Sequence, residues 1–513
     1  MKAAERLLEF LAQQGVRACF ANPGTSEMHL VAALDAAPAI RPILCLFEGV
    51  ATGAADGFGR MAQHTALTLL HLGPGLANGI ANLHNAYRAG TPILSLIGEH
   101  ASYHRANNPP LATDIEALAR PVSKWLETVK APEELVACAS RALDVAGQSG
   151  PAALILPADV AWSDTEPHAA TRVSDSTNAS DWTEKLDAAA RALGPRSVLL
   201  LGGRRLSARA CAAAERIGAK TGAQILVETF PARIERGAAR AALKRLPYLS
   251  EMAAGLLANA ETILLAGAAD PVAFFALPGR PTRLAADGAS LVAFVQKQDD
   301  VEAALEALAE AVGATQAAPP TPTIAPAPVN AEGQVDPGSL AQIVAKTLPE
   351  NAIVSDESNT LGLYVFDACA NAAPHDWLTL TGGSIGQGLP LATGAAVACP
   401  DRRVVALEAD GSALYTIQAL WTQAREQLNV TNVILSNRAY AILKLEMMRT
   451  GVAAQPQSAG ALFDLDRPAI DFSQIARGFG VPAERVRTNQ ALEAALQRSF
   501  ATPGPSLIEV MFG

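Results

Sequence analysis

Asp410 and Asn437 are the residues whose types and spacing point most directly to chemistry, with 26 residues between them. The stretch RVVALEADGSALYTIQALWTQAREQLNVTNVILSNRAY (403–440) reads as strand, loop, helix, strand, loop. A crossover of that length returns the chain beside its starting strand, so both side chains are predicted to emerge at one edge of a parallel sheet. A carboxylate, an amide oxygen and the backbone carbonyl of Ala439 make three hard oxygen ligands. Such a set suits Mg²⁺ and, through it, a diphosphate. Gly411 lets the backbone approach phosphates closely, and Ser412 adds a hydroxyl donor at a helix N-terminus, which favours anions.

A second group lies near the start of the chain. Glu48 follows the apolar run 43–47 and precedes a helix predicted over 49–62. His71 ends the run 66–71, directly before Leu72-Gly73-Pro74-Gly75. The loop Asn22-Pro23-Gly24-Thr25-Ser26-Glu27 follows the run 16–20. Imidazole, hydroxyl and carboxyl groups at strand ends can move protons. The plainer reading makes Glu48 a helix cap and His71 a structural strand-edge residue.

The elements that must hold these groups follow from composition and pattern. The chain has 513 residues, half of them hydrophobic and 18% charged, enough to bury large cores. Runs such as 43–47, 66–71, 93–97, 197–202, 224–227, 262–266, 352–355, 403–407 and 430–435 are apolar without alternation. Such runs suit parallel strands covered on both faces. Ala-rich helices alternate with them, so the predicted class is α/β with three doubly wound parallel-sheet domains. Two linkers, 163–181 (polar) and 317–330 (Pro-rich), divide the chain into 1–165, 182–315 and 333–513. In such sheets ligands bind beyond the carboxyl ends of the strands, where all the candidate residues fall.

Other classes are disfavoured. A net charge of −10 argues against nucleic acid as a partner. The six scattered cysteines contain no CxxC, and Glu5, Arg6 and Glu9 interrupt any signal-peptide core, so a reducing cytoplasmic setting is expected. Residues 61–87 and 377–400 lack charge, but Gly73-Pro74-Gly75 breaks one and Ser384, Gly386, Gln387 and Pro390 interrupt the other. Neither is read as a membrane span, and no membrane partner is expected. Gly382-Gly383-Ser384-Ile385-Gly386 fits G-x-S-x-G, but no histidine follows Ser384, which removes the hydrolase reading.

The Asp410 stretch resembles the thiamine diphosphate enzyme superfamily, whose signature is Gly-Asp-Gly followed by Asn one crossover later. Here Ala409 replaces the first Gly, and Arg438 stands where a second Asn is often found. Residues 46–57 (LFEGVATGAADG) resemble the family's N-terminal segment carrying an activating glutamate. The resemblance implies thiamine diphosphate and Mg²⁺ as cofactors, with the metal held by Asp410, Asn437 and Ala439. It implies diphosphate contacts from Asn359, Thr360, Gly411 and Ser412, with Tyr440 also at the cofactor. The Gly383 carbonyl would accept from the cofactor's exocyclic amine, Ile385 would wedge beneath its rings, and Glu48 would bond its pyrimidine nitrogen.

His71 and Thr25, with Ser26 one residue on, match the proton-handling histidine and serine of benzoylformate decarboxylase. That enzyme's second histidine, from its middle domain, has no counterpart in Asp270-Pro271-Val272-Ala273-Phe274-Phe275-Ala276. Gly73-Pro74-Gly75 is more similar to acetolactate synthase, whereas 440–444 lacks that family's usual pattern. Leu111, Ala112, Ile442 and Leu443 are expected to line an apolar substrate pocket. The turn Leu201-Gly202-Gly203-Arg204-Arg205 lacks G-x-G-x-x-G, so FAD is not expected in the middle domain. The family implies a homodimer or homotetramer, with the first domain of one subunit facing the last domain of its neighbour. The implied activity is 2-oxo acid decarboxylation or carboligation, with acetolactate synthase-type ligation and a catalytically silent scaffold as competing readings.

Overall fold

Continuous apolar runs without alternation build three sheets in the computed structural model, which describes residues 1–165, 182–315, 328–451 and 460–512. Most of both linker predictions lies outside the described residues. The first sheet contains β1 (Ala18–Asn22), β2 (Arg41–Leu44), β3 (Ala66–Leu70), β4 (Ile93–Glu99), β5 (Trp125–Thr128) and β6 (Ala152–Pro157). Its order is β2-β1-β3-β4-β6-β5, parallel throughout. The second contains β7 (Ser197–Leu201), β8 (Gln224–Val227), β10 (Lys244–Arg245), β11 (Thr262–Ala266) and β12 (Ser290–Val295), while β9 (Arg233–Arg236) leaves for the third. Its order is β10-β8-β7-β11-β12, also parallel.

The third sheet contains β13 (Ile353–Glu357), β14 (His375–Thr379), β15 (Val404–Ala409), β16 (Val430–Ser436), β17 (Ala483–Val486) and β18 (Ser506–Met511). Its order is β17-β18-β16-β15-β13-β14-β9. The sequence suggested only parallel strands here, yet β9 pairs antiparallel with β14, joining the middle segment to the last. Ile234 lies opposite Trp377, both buried, and Arg233 Nε donates to Asp376 at 2.6 Å. One apolar residue in Arg-Ile-Glu-Arg leaves no strand pattern to read. In the first and third sheets the winding reverses between β1 and β3 and between β13 and β15. Loops leaving these pairs diverge and open a crevice.

Several elements differ in extent from the sequence reading. β2 ends at Leu44, so Glu48 is the first residue of the Glu48–Ala62 helix and lies beyond the strand end. The Leu72–Ala89 helix includes Gly73-Pro74-Gly75, because proline is tolerated in a first turn. All six cysteines are free, and no helix among the described residues is long and apolar enough to cross a membrane.

The first and third sheets meet through two helices, Glu48–Ala62 and Gly388–Ala398, that cross at backbone distance. A Cβ on Gly57 would stand 1.9 Å from the Leu391 carbonyl oxygen, and one on Gly394 would stand 1.7 Å from that of Ala54. Beside this seam is a buried ion pair. Arg60 Nε and Nη2 donate to Asp56 at 2.8 and 2.6 Å. Arg60 Nη1 also donates to the carbonyls of Ala232 (3.2 Å) and Thr379 (2.8 Å), so one side chain touches all three segments. Thr91 Oγ1 (2.5 Å) and Gln387 Nε2 complete the donors to Asp56. Replacing Gly57 by Ala should destabilise the chain by roughly 2 kcal/mol, since the colliding atom is backbone and cannot rotate away. Denaturant titration of the variant against the parent chain checks this, with unchanged stability refuting the close crossing.

Candidate active site

At the first switch point, the loop after β1 and the residue after β3 meet. His71 Nδ1 lies 2.8 Å from Glu27 Oε2 and 3.2 Å from Ser26 Oγ. Ser26 Oγ in turn donates to Glu27 Oε1 at 2.5 Å, and the Gly24 N–H donates to Glu27 Oε2 at 2.9 Å. Glu27 is fully buried, while His71 keeps 23% of its side-chain surface. A carboxylate on Nδ1 fixes the ring and directs Nε2 away from the loop. Glycine is needed at two places: a Cβ on Gly24 would strike the His71 ring at 2.2 Å, and one on Gly98 would strike Glu27 Oε1 at 1.7 Å. After His71 the chain passes through the left-handed region at Leu72 (φ 51°), a conformation often held at functional sites. Thr25, the expected hydroxyl, is exposed, and it is Ser26 that reaches the imidazole. The short helical turn Thr25–Glu27 rotates the hydroxyl at position 26, not that at 25, towards β3.

Glu48 is 7% exposed, and Asn78 Nδ2 donates to its Oε2 at 3.0 Å. Its Oε1 lies against Gly75, where a Cβ would come within 3.1 Å. The helix that carries Asn78 also holds the loop Gly382–Gly386. Asn82 Nδ2 donates to the carbonyls of Gly49 (2.8 Å) and Gly386 (3.2 Å). Asn85 Oδ1 accepts from the Ser384 N–H (3.2 Å), and its Nδ2 donates to the Ser384 carbonyl (2.8 Å). Ile385, half-buried, is therefore fixed from the preceding residue, and Gly383 is exposed with φ +74°.

At the other switch point, Asp410 follows β15 and Asn437 follows β16, and these strands are parallel neighbours with Ala409 opposite Leu435. The Arg438 N–H donates to Asp410 Oδ2 at 2.6 Å and the Gly411 N–H to Oδ1 at 2.8 Å. Burial pushes the Asp410 carboxyl up, and these backbone donors oppose the rise. Asn437 Oδ1 accepts from the Ala439 N–H at 3.0 Å. The Ala439 carbonyl, expected to be free, accepts from the Ala441 N–H at 2.9 Å, because the chain makes a tight turn into the Ala441–Arg449 helix. It retains one lone pair. Asn359, left-handed at φ 50°, donates to Ser412 Oγ at 3.0 Å across the β13/β15 crevice, with half-buried Thr360 next to it. The Tyr440 ring covers Gly411, where a Cβ would meet it at 2.4 Å.

This set fits a divalent cation bound to a diphosphate. The donors are hard oxygens with lone pairs to spare, and a raised carboxyl pKa is what a cation would reverse. Among the described residues no group of three or more His, Cys, Asp or Glu could hold a metal ion, so an anionic ligand would complete the shell.

Sequence reasoning missed two acids besides Glu27. Glu357 ends β13 and accepts from the N–H groups of Gly386 (2.7 Å), Gln387 (2.8 Å) and Gly388. Glu408 lies opposite it on β15 and has no hydrogen bond of that quality. Burial pushes Glu357 up to about 7, and burial together with the neighbouring Glu357 and Asp356 pushes Glu408 well above the ordinary carboxyl range. An acid inside an apolar strand run was the available signal. The four residues expected to line the pocket lie apart in the chain's order of loops. Leu111 (43% exposed) and Ala112 adjoin Thr113, which covers Gly73. Ile442 and Leu443 sit on the Ala441–Arg449 helix, in which no residue is buried. In the middle sheet, Gly202 packs onto the backbone of Ala268 (2.7 Å from a would-be Cβ), so loop contact accounts for that glycine.

Comparison with known proteins gives a consistent result. The C-terminal TPP binding domain of thiamine pyrophosphate enzymes matches residues 361–510, and the N-terminal TPP binding domain matches 1–118. A Mycobacterium tuberculosis protein named "Putative acetolactate synthase large subunit IlvX" is 48% identical over 514 residues, covering 100% of this chain and 99% of that one. Benzoylformate decarboxylase of Pseudomonas aeruginosa is 29% identical, covering 98% and 97%. Among solved structures, the thiamine diphosphate-dependent 4-hydroxybenzoylformate decarboxylase of Rhodococcus jostii RHA1 superposes with a TM-score of 0.83 at 25% identity, covering 100% and 99%.

Glu27→Gln should leave the fold intact but release the His71 ring from its carboxylate. NMR of the His71 ring should then show changed ring shifts and faster ring motion, since Nδ1 has lost its carboxylate partner. Unchanged ring resonances would show that the contact does not hold the ring.

Proposed function

The chain belongs to the thiamine pyrophosphate enzyme family, and from that premise we propose that it releases CO₂ from a 2-oxo acid, using thiamine diphosphate and Mg²⁺. The reading extends to a cytoplasmic homodimer or homotetramer in which Glu48 of one subunit serves the cofactor held by the last segment of its neighbour. The carrying observation is the Ser26–Glu27–His71 network, a proton-handling group at a sheet crevice.

When bound, thiamine diphosphate supplies a nucleophilic carbon and accepts the electrons left by CO₂. Asp410, Asn437 and the Ala439 carbonyl would hold the metal, and Asn359, Thr360 and Ser412 the diphosphate. The Gly383 carbonyl and Ile385 would orient the rings, on a loop already fixed by Asn82 and Asn85. Glu48, buried and steadied by Asn78, would hold a proton against the cofactor's pyrimidine nitrogen. His71 presents Nε2 to the substrate, and Ser26 offers a hydroxyl on the same side. General acid–base help of this kind contributes roughly 10²–10⁴-fold.

A second reading is acetolactate synthase-type ligation, in which a second carbonyl compound captures the product in place of a proton. The name of the 48% identical relative favours it. A silent scaffold would have no use for three hydrogen bonds converging on the buried Glu27.

With cofactor, Mg²⁺ and a panel of 2-oxo acids, CO₂ release should be measurable, and product identification separates aldehyde from ligated product. Tight cofactor binding with no turnover of any member would leave the scaffold. Glu48→Gln should keep the melting temperature and lose roughly 10²-fold or more in kcat, whereas undiminished turnover removes Glu48 from its role. Asp410→Ala should abolish the Mg²⁺ dependence of cofactor binding in calorimetry, and an unchanged affinity would place the metal elsewhere.

A further inference from the structure

We infer that Phe274, contributed by the middle segment, is a wall of the substrate pocket and sets the size of the apolar acyl group the site accepts. This rests on the 2-oxo acid reading above.

Phe274 Cε1 stands 3.8 Å from where a Gly383 Cβ would lie, the one contact within 4 Å among the described residues beyond the adjoining chain. The ring therefore borders the open side of the loop assigned to the cofactor rings. It is held from behind by two other aromatics: Phe230, edge-on at 5.4 Å, and Tyr248, tilted at 5.1 Å. Its backbone is pinned as well, since the Ala273 N–H donates to the Thr282 carbonyl (2.8 Å) and the Leu284 N–H to that of Pro271 (3.0 Å). Even so, 43% of Phe274 is exposed. A partly exposed aromatic held by two others, beside a glycine loop, is suited to pack against a ligand.

The neighbouring wall is tied to the same place. Arg449 donates to Glu251 (2.7 Å) of the middle segment and to Glu446 (2.5 Å) on its own helix. Burial pushes the Tyr248 phenol up, and Glu446 adds to the rise. These contacts clamp the helix bearing Ile442 and Leu443 to the segment bearing Tyr248. Arg449 is already held by two carboxylates, and Phe230 and Phe274 carry no charge. The chemistry of this wall thus suits an apolar acyl substituent and disfavours a charged one.

The test uses the full chain loaded with thiamine diphosphate and Mg²⁺. Calorimetry would measure Kd for methyl acetylphosphonate and methyl benzoylphosphonate, as uncleavable analogues of small and bulky 2-oxo acids, alongside KM and kcat for pyruvate and benzoylformate. Phe274→Ala should shift the preference roughly tenfold or more towards the bulky analogue, the scale of a changed apolar pocket contact. Phe274→Trp should shift it the other way, and Phe274→Leu serves if the alanine variant fails to fold. Cofactor affinity should not move. If the parent chain binds the analogues but both affinities change together, or neither changes, Phe274 is packing only and the inference fails alone. If the parent chain binds cofactor but neither analogue, the 2-oxo acid reading fails and takes the inference with it.

Discussion

The close crossing of the Glu48–Ala62 and Gly388–Ala398 helices is the constraint from which the rest of the arrangement follows. Each helix begins at a candidate site: one with Glu48, the other directly after the Gly382–Gly386 loop. With backbone in contact at Gly57 and Gly394, neither can slide without collision. The distance between the carboxylate and the glycine loop is thereby set by two positions that lack a side chain. The Asp56–Arg60 pair reinforces this. Burying two charges is costly, and it is tolerated where each finds several partners. Here Asp56 receives Arg60, Thr91 and Gln387, and Arg60 also reaches carbonyls in the other two segments. Losing one partner would leave the other as an uncompensated buried charge, so the three segments are held in one mutual placement.

The first and third sheets use one topological device for two kinds of chemistry. In each, strand order reverses and two loops part above the gap. In the first sheet the gap is spanned by a hydrogen-bonded set of side chains, Ser26, Glu27 and His71. In the third it is spanned by Asn359 and Ser412, neutral donors suited to an anion. The Leu72–Ala89 helix then connects the two ends of the problem. It starts at His71, steadies Glu48 through Asn78, and fixes the glycine loop through Asn82 and Asn85. Polar residues at helical spacing on one face thus substitute for a longer framework.

What could be read from the chain depended on whether a local rule governed it. Asp410 and Asn437 were legible as neighbours because a parallel crossover has one sensible outcome, and β15 and β16 do pair. The class of fold was legible from continuous apolar runs. The choice of Ser26 over Thr25 was not, since a single turn of helix decides which hydroxyl faces β3. Glu27 was hidden for the same reason, although it adjoins both. The β9 strand carries too few apolar residues to signal itself, and its partner is far along the chain, with Trp377 standing opposite Ile234 143 positions away. The hydrogen bond that occupies one lone pair of Ala439 depends on a turn geometry that residue types do not dictate.

The acids around the crevices carry the last step of the synthesis. Glu357, Glu408 and Asp410 all lie at the carboxyl ends of β13 and β15, all buried, and all with carboxyl groups pushed upward. Burial raises all three, and Glu408 is raised further by the neighbouring carboxyl groups of Glu357 and Asp356. Glu357 is relieved by three backbone N–H groups, and Asp410 by two. Glu408 has no comparable donors and is the group best relieved by keeping its proton. A divalent cation at Asp410 would offset the burial of that carboxylate. A cation or diphosphate that bound the native arrangement and not the unfolded chain would stabilise it by mass action. The positions that look least favourable for folding alone are those that a bound cation would put to use.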